Sequence, residues 1–248
     1  MILKLLRSEQ LKLKRTGLIF MTILIPLAIN MLITIDLQFR YTGYLLIHQQ
    51  EMNISCWQLI LKEQRILFFP ALLPFFATLI LTQIFSVERR SNGWSMILTQ
   101  PIKRYQLLLS KYIISCKYIT ILIVVNIVTM AIAGFITGIK DPFDTELFLR
   151  CFLILLVSTF ATAAIQLIAI EIFPSKWISL FIGLFLGLLS QDTYINSVFG
   201  KFNPYSFSDF SYRSDWNQAV FMILISCIYI IIGLLASTSI FKRKNIYR

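Results

Sequence analysis

Long apolar runs separated by short polar intervals set the pattern of this chain. Runs at 17–36, 66–87, 107–139, 147–173, 177–198 and 219–241 are each long enough, or nearly so, to cross a bilayer as a helix. The first 16 residues differ: Lys4, Arg7, Lys12, Lys14 and Arg15 alternate with Ile2, Leu3, Leu6 and Leu13. That is a basic amphipathic pattern, which predicts a helix lying in the headgroup region rather than crossing it. The run that follows is longer than a secretory leader's apolar core, and no small-residue cleavage pattern comes after it, so an uncleaved first span is expected.

Details inside the runs refine this reading. Pro26 and Asn30 predict a kink and an inward-facing polar group in the first span. Pro70 and Pro74 predict a distorted outer end of the second. Lys111 and Lys117 interrupt the third, and because a lysine at the bilayer centre costs about 2.5–3.5 kcal/mol, both are expected to reach the inner interface or to face protein. Ser158, Ala161, Ala163 and Ala164 offer the fourth span a small-residue stripe for close packing. The fifth has a clean apolar core only to Leu189 and is expected to continue to residue 198.

The polar intervals carry the information about function. Residues 88–111 form a charged interruption between the second and third spans. Within it Trp94, Ile97 and Leu98 fall at i, i+3 and i+4, which places them on one apolar helical face. Ser91 or Asn92 suits the start of that helix and Pro101 its end. The expected element is a short amphipathic helix at the membrane surface, shaped for another protein's groove. On the opposite side, residues 202–216 hold six aromatic side chains among polar ones, including Tyr205, Phe207, Phe210 and Tyr212. This predicts an interfacial belt or, more sharply, the lip of a substrate path to which Asp209 and Asp215 add negative charge.

Composition and charge then narrow the class. Hydrophobic residues make up 57% of 248 and charged residues 14%, a balance that excludes a soluble globule and predicts a multi-pass, all-α membrane protein of one domain. The net charge of +11 comes from basic residues bordering apolar runs, so the expected partner is a lipid membrane with anionic headgroups, not nucleic acid. The intervals assigned inside carry 16 Lys and Arg and those assigned outside carry 7, which places both termini in the cytoplasm. Four dispersed cysteines and a single histidine, His48, give neither a disulfide framework nor a metal site. There is no G-x-x-x-x-G-K-[ST] phosphate loop, no H-E-x-x-H and no G-x-S-x-G, so no catalytic residues are assigned. The membrane-proximal carboxylates Asp36, Glu88, Glu171 and Asp192 are dispersed in the chain. They leave a proton-coupled secondary transporter as an alternative, without the internal symmetry such transporters carry.

The order Glu88, Gly93, Trp94, Leu98, Pro101, Lys103-Arg104 and Ser110-Lys111 resembles the first cytoplasmic loop of ABC-2 type transporter permeases. Glu9, Leu11-Lys12 and Lys14-Arg15-Thr16 are similar to the subgroup of that family that protects Gram-positive bacteria against lantibiotics and related peptides. The resemblance implies a six-helix permease subunit in the bacterial plasma membrane, with a coupling helix built from Glu88, Gly93, Trp94, Ile97, Leu98, Pro101 and Arg104. It implies a separate ATPase subunit that holds the ATP and Mg, since this chain binds no cofactor, and a second copy of the permease or a homologous one. It further implies an amphipathic antimicrobial peptide as substrate; within the same fold, another amphiphile, a lipid-linked sugar or a drug is the alternative.

Overall fold

In the computed structural model, which describes residues 2–14, 16–40, 54–90, 103–139, 141–173 and 175–243, every regular element is helical. In chain order they are α1 (Ile2–Leu13), α2 (Leu18–Arg40), α3 (Cys56–Glu63), α4 (Phe69–Arg90), α5 (Arg104–Ile136), α6 (Thr145–Ile172), α7 (Lys176–Leu189), α8 (Thr193–Asn196), α9 (Pro204–Phe210) and α10 (Trp216–Arg243), with single 3-10 turns at Phe199–Phe202 and Ser211–Arg213. Five of them, α2, α4, α5, α6 and α10, are long and apolar enough to cross a membrane.

The packing follows from where the small side chains lie. Helix α6 is the hub, with α4, α5, α9 and α10 against it. Ala161, Ala163 and Ala164 on α6 have no exposed surface, and Gly233 of α10 sits so close to Ala164 that an added Cβ would lie 2.9 Å from its backbone. The small-residue stripe thus does what its composition predicts: it lets two long helices approach closely. Helix α1 ends at a left-handed turn, Gly17 with φ +66°, after which the chain enters α2.

Polar groups at two places inside the bundle are paired across helices. Asn30 of α2 faces inward as expected and donates to Oδ1 of Asn126 on α5 at 3.0 Å, while Gln64 Nε2 bonds both Asn30 Oδ1 and Asn126 Oδ1, at 3.0 and 2.9 Å. In α4, Pro74 has no N–H for the carbonyl of Pro70; Ser208 of α9 supplies the missing donor at 3.0 Å. The distorted outer end predicted for this helix is thereby a docking point for α9.

Two expectations are corrected. The fifth apolar run does not continue as one helix to residue 198: α7 stops at Leu189, and the chain turns through Asp192 in the left-handed region, φ +55°, into the single turn α8. Fourteen residues rise about 21 Å, short of a bilayer core of about 30 Å. The aromatic interval also departs from an interfacial belt. Pro204–Phe210 folds as α9 and packs inward against α6 and α4, so Tyr205, Phe207 and Tyr212 are buried and Phe210 half-buried.

Candidate functional site

The charges flanking the 91–102 interval converge on one point. Lys111, two turns into α5, has no exposed surface, and its Nζ lies 2.9 Å from Glu9 Oε2 on α1 and 2.8 Å from Glu88 Oε2 on α4. Lys12 of α1 closes the group, 2.6 Å from Glu9 Oε1 and 3.1 Å from Glu88 Oε1. Both carboxylates are 3% exposed. The contact between Lys111 and Glu88 Oε2 is an ion pair outside hydrogen-bond geometry, whereas Lys111 to Glu9 and Lys12 to both glutamates are hydrogen-bonded.

Two cations and two anions sum to zero, which is what permits the burial of Glu9, Glu88 and Lys111, while Lys12 closes the group from the surface. The ring of Phe85, one turn before Glu88 on α4, adds a cation–π contact 5.3 Å from Lys111 Nζ. Burial pushes the Glu9 carboxyl upward, but Lys111 and then Lys12 outweigh it and hold it below its ordinary 4.5. Burial likewise lowers the Lys12 ammonium, and the two glutamates reverse this and hold it above 10.5. Glu9 and Lys12 are therefore both charged across the range between those values.

Its position gives the cluster meaning. Glu88 stands two residues before the end of α4 and Lys111 seven after the start of α5, so the quartet grips both roots of the 91–102 interval and fastens them to α1. A second tie lies nearby: Arg104 donates to the carbonyls of Phe241 and Lys242, at 3.4 and 3.0 Å, near the end of α10. Of the residues assigned to a coupling helix, Glu88 and Arg104 are thus brought into contact with other elements. Gly93, Trp94, Ile97, Leu98 and Pro101 lie outside the described residues.

Sequence reading placed Lys111 against protein or the interface without naming its partners. A signal was available: Glu9 is the only carboxylate in the first 16 residues, set among five cations. A lone acid on a basic amphipathic helix, with a lysine near the start of an apolar run, is a pair waiting to be matched.

The opposite end of the molecule carries a different clasp. Arg65, in the turn before α4, grips Asp209 bidentately at 2.7 and 3.0 Å, pairs with Asp192 beyond α7, and reaches the Tyr212 hydroxyl at 3.3 Å. Tyr205 accepts a hydrogen bond from Gln166 of α6 at 3.0 Å, and Phe210 stacks on Tyr194 with centroids 4.3 Å apart. The four rings assigned to a substrate path are therefore engaged within the chain, and Asp209 is neutralised by Arg65; Asp215 is exposed. Among the described residues, no cluster of His, Cys, Asp or Glu suits a metal ion.

Compared with known families, residues 5–190 match the profile described as ABC-2 family transporter protein. No curated protein matches the chain closely enough to serve as a relative.

Proposed function

The chain belongs to the ABC-2 transporter family, and from that premise we propose that it is the transmembrane permease subunit of an ATP-driven exporter, whose ATP and Mg are held by a separate ATPase docked on residues 91–102. One observation carries the coupling role: the quartet of Glu9, Lys12, Glu88 and Lys111, buried except for Lys12, joins both roots of that interval to the lead-in helix. A push on the interval reaches α1, α4 and α5 together, because separating any one of them strands a buried charge. The coupling helix, with Trp94, Ile97 and Leu98 as its docked face and Gly93 and Pro101 near its ends, acts as the lever. Movement of this body against α6 and α10 provides the inward and outward arrangements of a transport cycle.

The protein is read as a bacterial plasma-membrane subunit with six crossings and both termini in the cytoplasm. Two contacts support the sixth crossing by the short α7. Trp216, at the start of α10, bonds Glu146 at the start of α6, and Asp192, just past α7, meets Arg65 just before α4. The connection from the end of α6 to the start of α10 therefore returns to the end of the bundle from which α6 set out. The exposed apolar faces of α2 and α7, among them Phe20, Leu24, Phe181 and Phe185, suit lipid and a second permease. For the substrate, the resemblance of residues 9–16 to immunity permeases supports a cationic antimicrobial peptide expelled from the membrane; another amphiphile would use the same machinery.

The test is co-purification. Replacing Trp94 and Leu98 together with Asp puts unpaired charge into a desolvated groove and should release the ATPase while the permease inserts normally. Full retention of the ATPase would refute docking through this face. The same strains, challenged with a cationic lantibiotic, read the substrate: the parent pair should protect cells and the uncoupled pair should not, while no protection by the parent would redirect the search to other amphiphiles.

A further inference from the structure

The face of α1 turned away from the quartet is also charged, and it is unmatched. Arg7, Gln10 and Leu11 of α1 and Lys14 just past its end recur at i, i+3, i+4 and i+7, one continuous stripe. This stripe forms one wall of a cleft of about 430 Å³ whose other wall is α5, where Lys117 stands exposed beside Tyr118. The floor is Leu13 and Leu18, and the lip carries Leu11 and Ile19, 63% and 54% exposed. Three cations thus surround a concavity lined by no carboxylate, and among the described residues none of Arg7, Lys14 or Lys117 has an ion-pair partner. That contrasts with Lys12 and Lys111, whose charges are met by Glu9 and Glu88.

We propose that this cleft is a binding site for the phosphate headgroup of an anionic diacyl phospholipid of the adjacent leaflet. The chemistry required is a compact negative charge at the polar end and a hydrocarbon chain at the other. Arg7 and Lys14 approach the charge from the headgroup side, and Lys117 approaches it from the wall of a membrane-spanning helix. The exposed apolar lip at Leu11 and Ile19, continuous with the outward face of α2, leads an acyl chain into the bilayer. A soluble anion would gain the cations but leave that lip uncovered, which is why a lipid is the better occupant. The bound lipid bridges α1 to α5 on the side opposite Glu9 and holds the lead-in helix in the position the quartet needs. The site stands whether or not an ATPase docks below.

The experiment uses the full chain purified in a non-ionic detergent and titrated with dioctanoyl phosphatidylglycerol, with dioctanoyl phosphatidylcholine and inorganic phosphate as parallel arms, read by the rise in Tm. Phosphatidylglycerol should raise Tm saturably; neither phosphatidylcholine nor inorganic phosphate should match it. The triple variant R7Q/K14Q/K117Q should weaken the phosphatidylglycerol response by on the order of tenfold or more, while a control that removes three exposed cations elsewhere, K103Q/K176Q/K242Q, should stay within about twofold. Gel filtration and Tm without lipid report whether each variant is folded, and Lys117→Gln alone, an exposed position, serves if the triple variant is not. An unchanged response in the cleft variant overturns the site. Equal loss in the control reduces it to diffuse charge, and an equal response to inorganic phosphate makes it a simple anion site; either result refutes the lipid proposal.

Discussion

A lysine without exposed surface in an otherwise apolar helix stays there only if its charge is met, and Lys111 is met twice. Removing it leaves Glu9 and Glu88 facing each other with Lys12 alone between them. Lys111→Met should therefore cost about 3–5 kcal/mol, seen as a marked fall in Tm of the detergent-purified chain. A variant that keeps the parent's Tm would show that the quartet adds nothing to the fold. The pH dependence follows from the two groups on α1. The Glu9 carboxyl is held below its ordinary 4.5 in the folded chain, so its contribution is present above 4.5 and is lost as pH falls through the lowered value. The Lys12 ammonium is held above 10.5, so its contribution is present below 10.5 and is lost as pH rises through the raised value. In Lys111→Met the acid limb should move toward neutral pH, because the largest of the attractive influences on Glu9 has gone.

At the scale of elements, the chain announced its long helices and concealed its short ones. Helices α2, α4, α5, α6 and α10 begin and end within four residues of the apolar runs, because an uninterrupted run of that length has no alternative to an internally hydrogen-bonded helix in lipid. Helix α3, whose Ser55 and Gln58 form a reciprocal cap, and the seven-residue α9 lie in intervals too polar to span and too short for a period to stand out. The aromatic content of residues 202–216 was legible but its destination was not. Tyr and Phe serve an interface or a core equally, and what decides for the core is the carbonyl freed by Pro74, which Ser208 satisfies, with Arg65 fixing Asp209. The quartet was half-legible, since each charge was visible but the pairs that tie α1 to α4 and to α5 lie 76 and 102 residues apart. Glycines in α7 show the same limit. Gly187 reads as a helix weakness, yet an added Cβ there would fall 2.1 Å from the carbonyl oxygen of Ala71, so the residue exists to let α7 lie against α4. Gly187→Ala should thus destabilise by about 1–3 kcal/mol despite the better helix propensity of alanine, as a lowered Tm, and a raised Tm would mean that the two helices are free to separate.

For the molecule as a whole the open quantity is its orientation, and a short helix decides it. If α7 failed to carry the chain across, α10 would start on the cytoplasmic side and the last basic residues would emerge outside. Two facts oppose that arrangement. Trp216 bonds Glu146, which ties the start of α10 to the start of α6, and the Lys and Arg of the proposed inner intervals outnumber those of the outer ones by 16 to 7. In the proposed crossing the 21 Å rise of α7 is supplemented by the polar turn at Ser190–Asp192, which Asp192 anchors to Arg65. Lys176, at the start of α7, and Asn217, at the start of α10, are both exposed and bracket the proposed crossing. In a cysteine-free background, Asn217→Cys should react with an impermeant maleimide on intact cells, and Lys176→Cys should react only after the membrane is opened. Reaction of both from outside would mean that α7 does not cross, and reaction of Lys176→Cys alone would invert the protein and place residues 91–102 beyond the reach of any cytoplasmic ATPase.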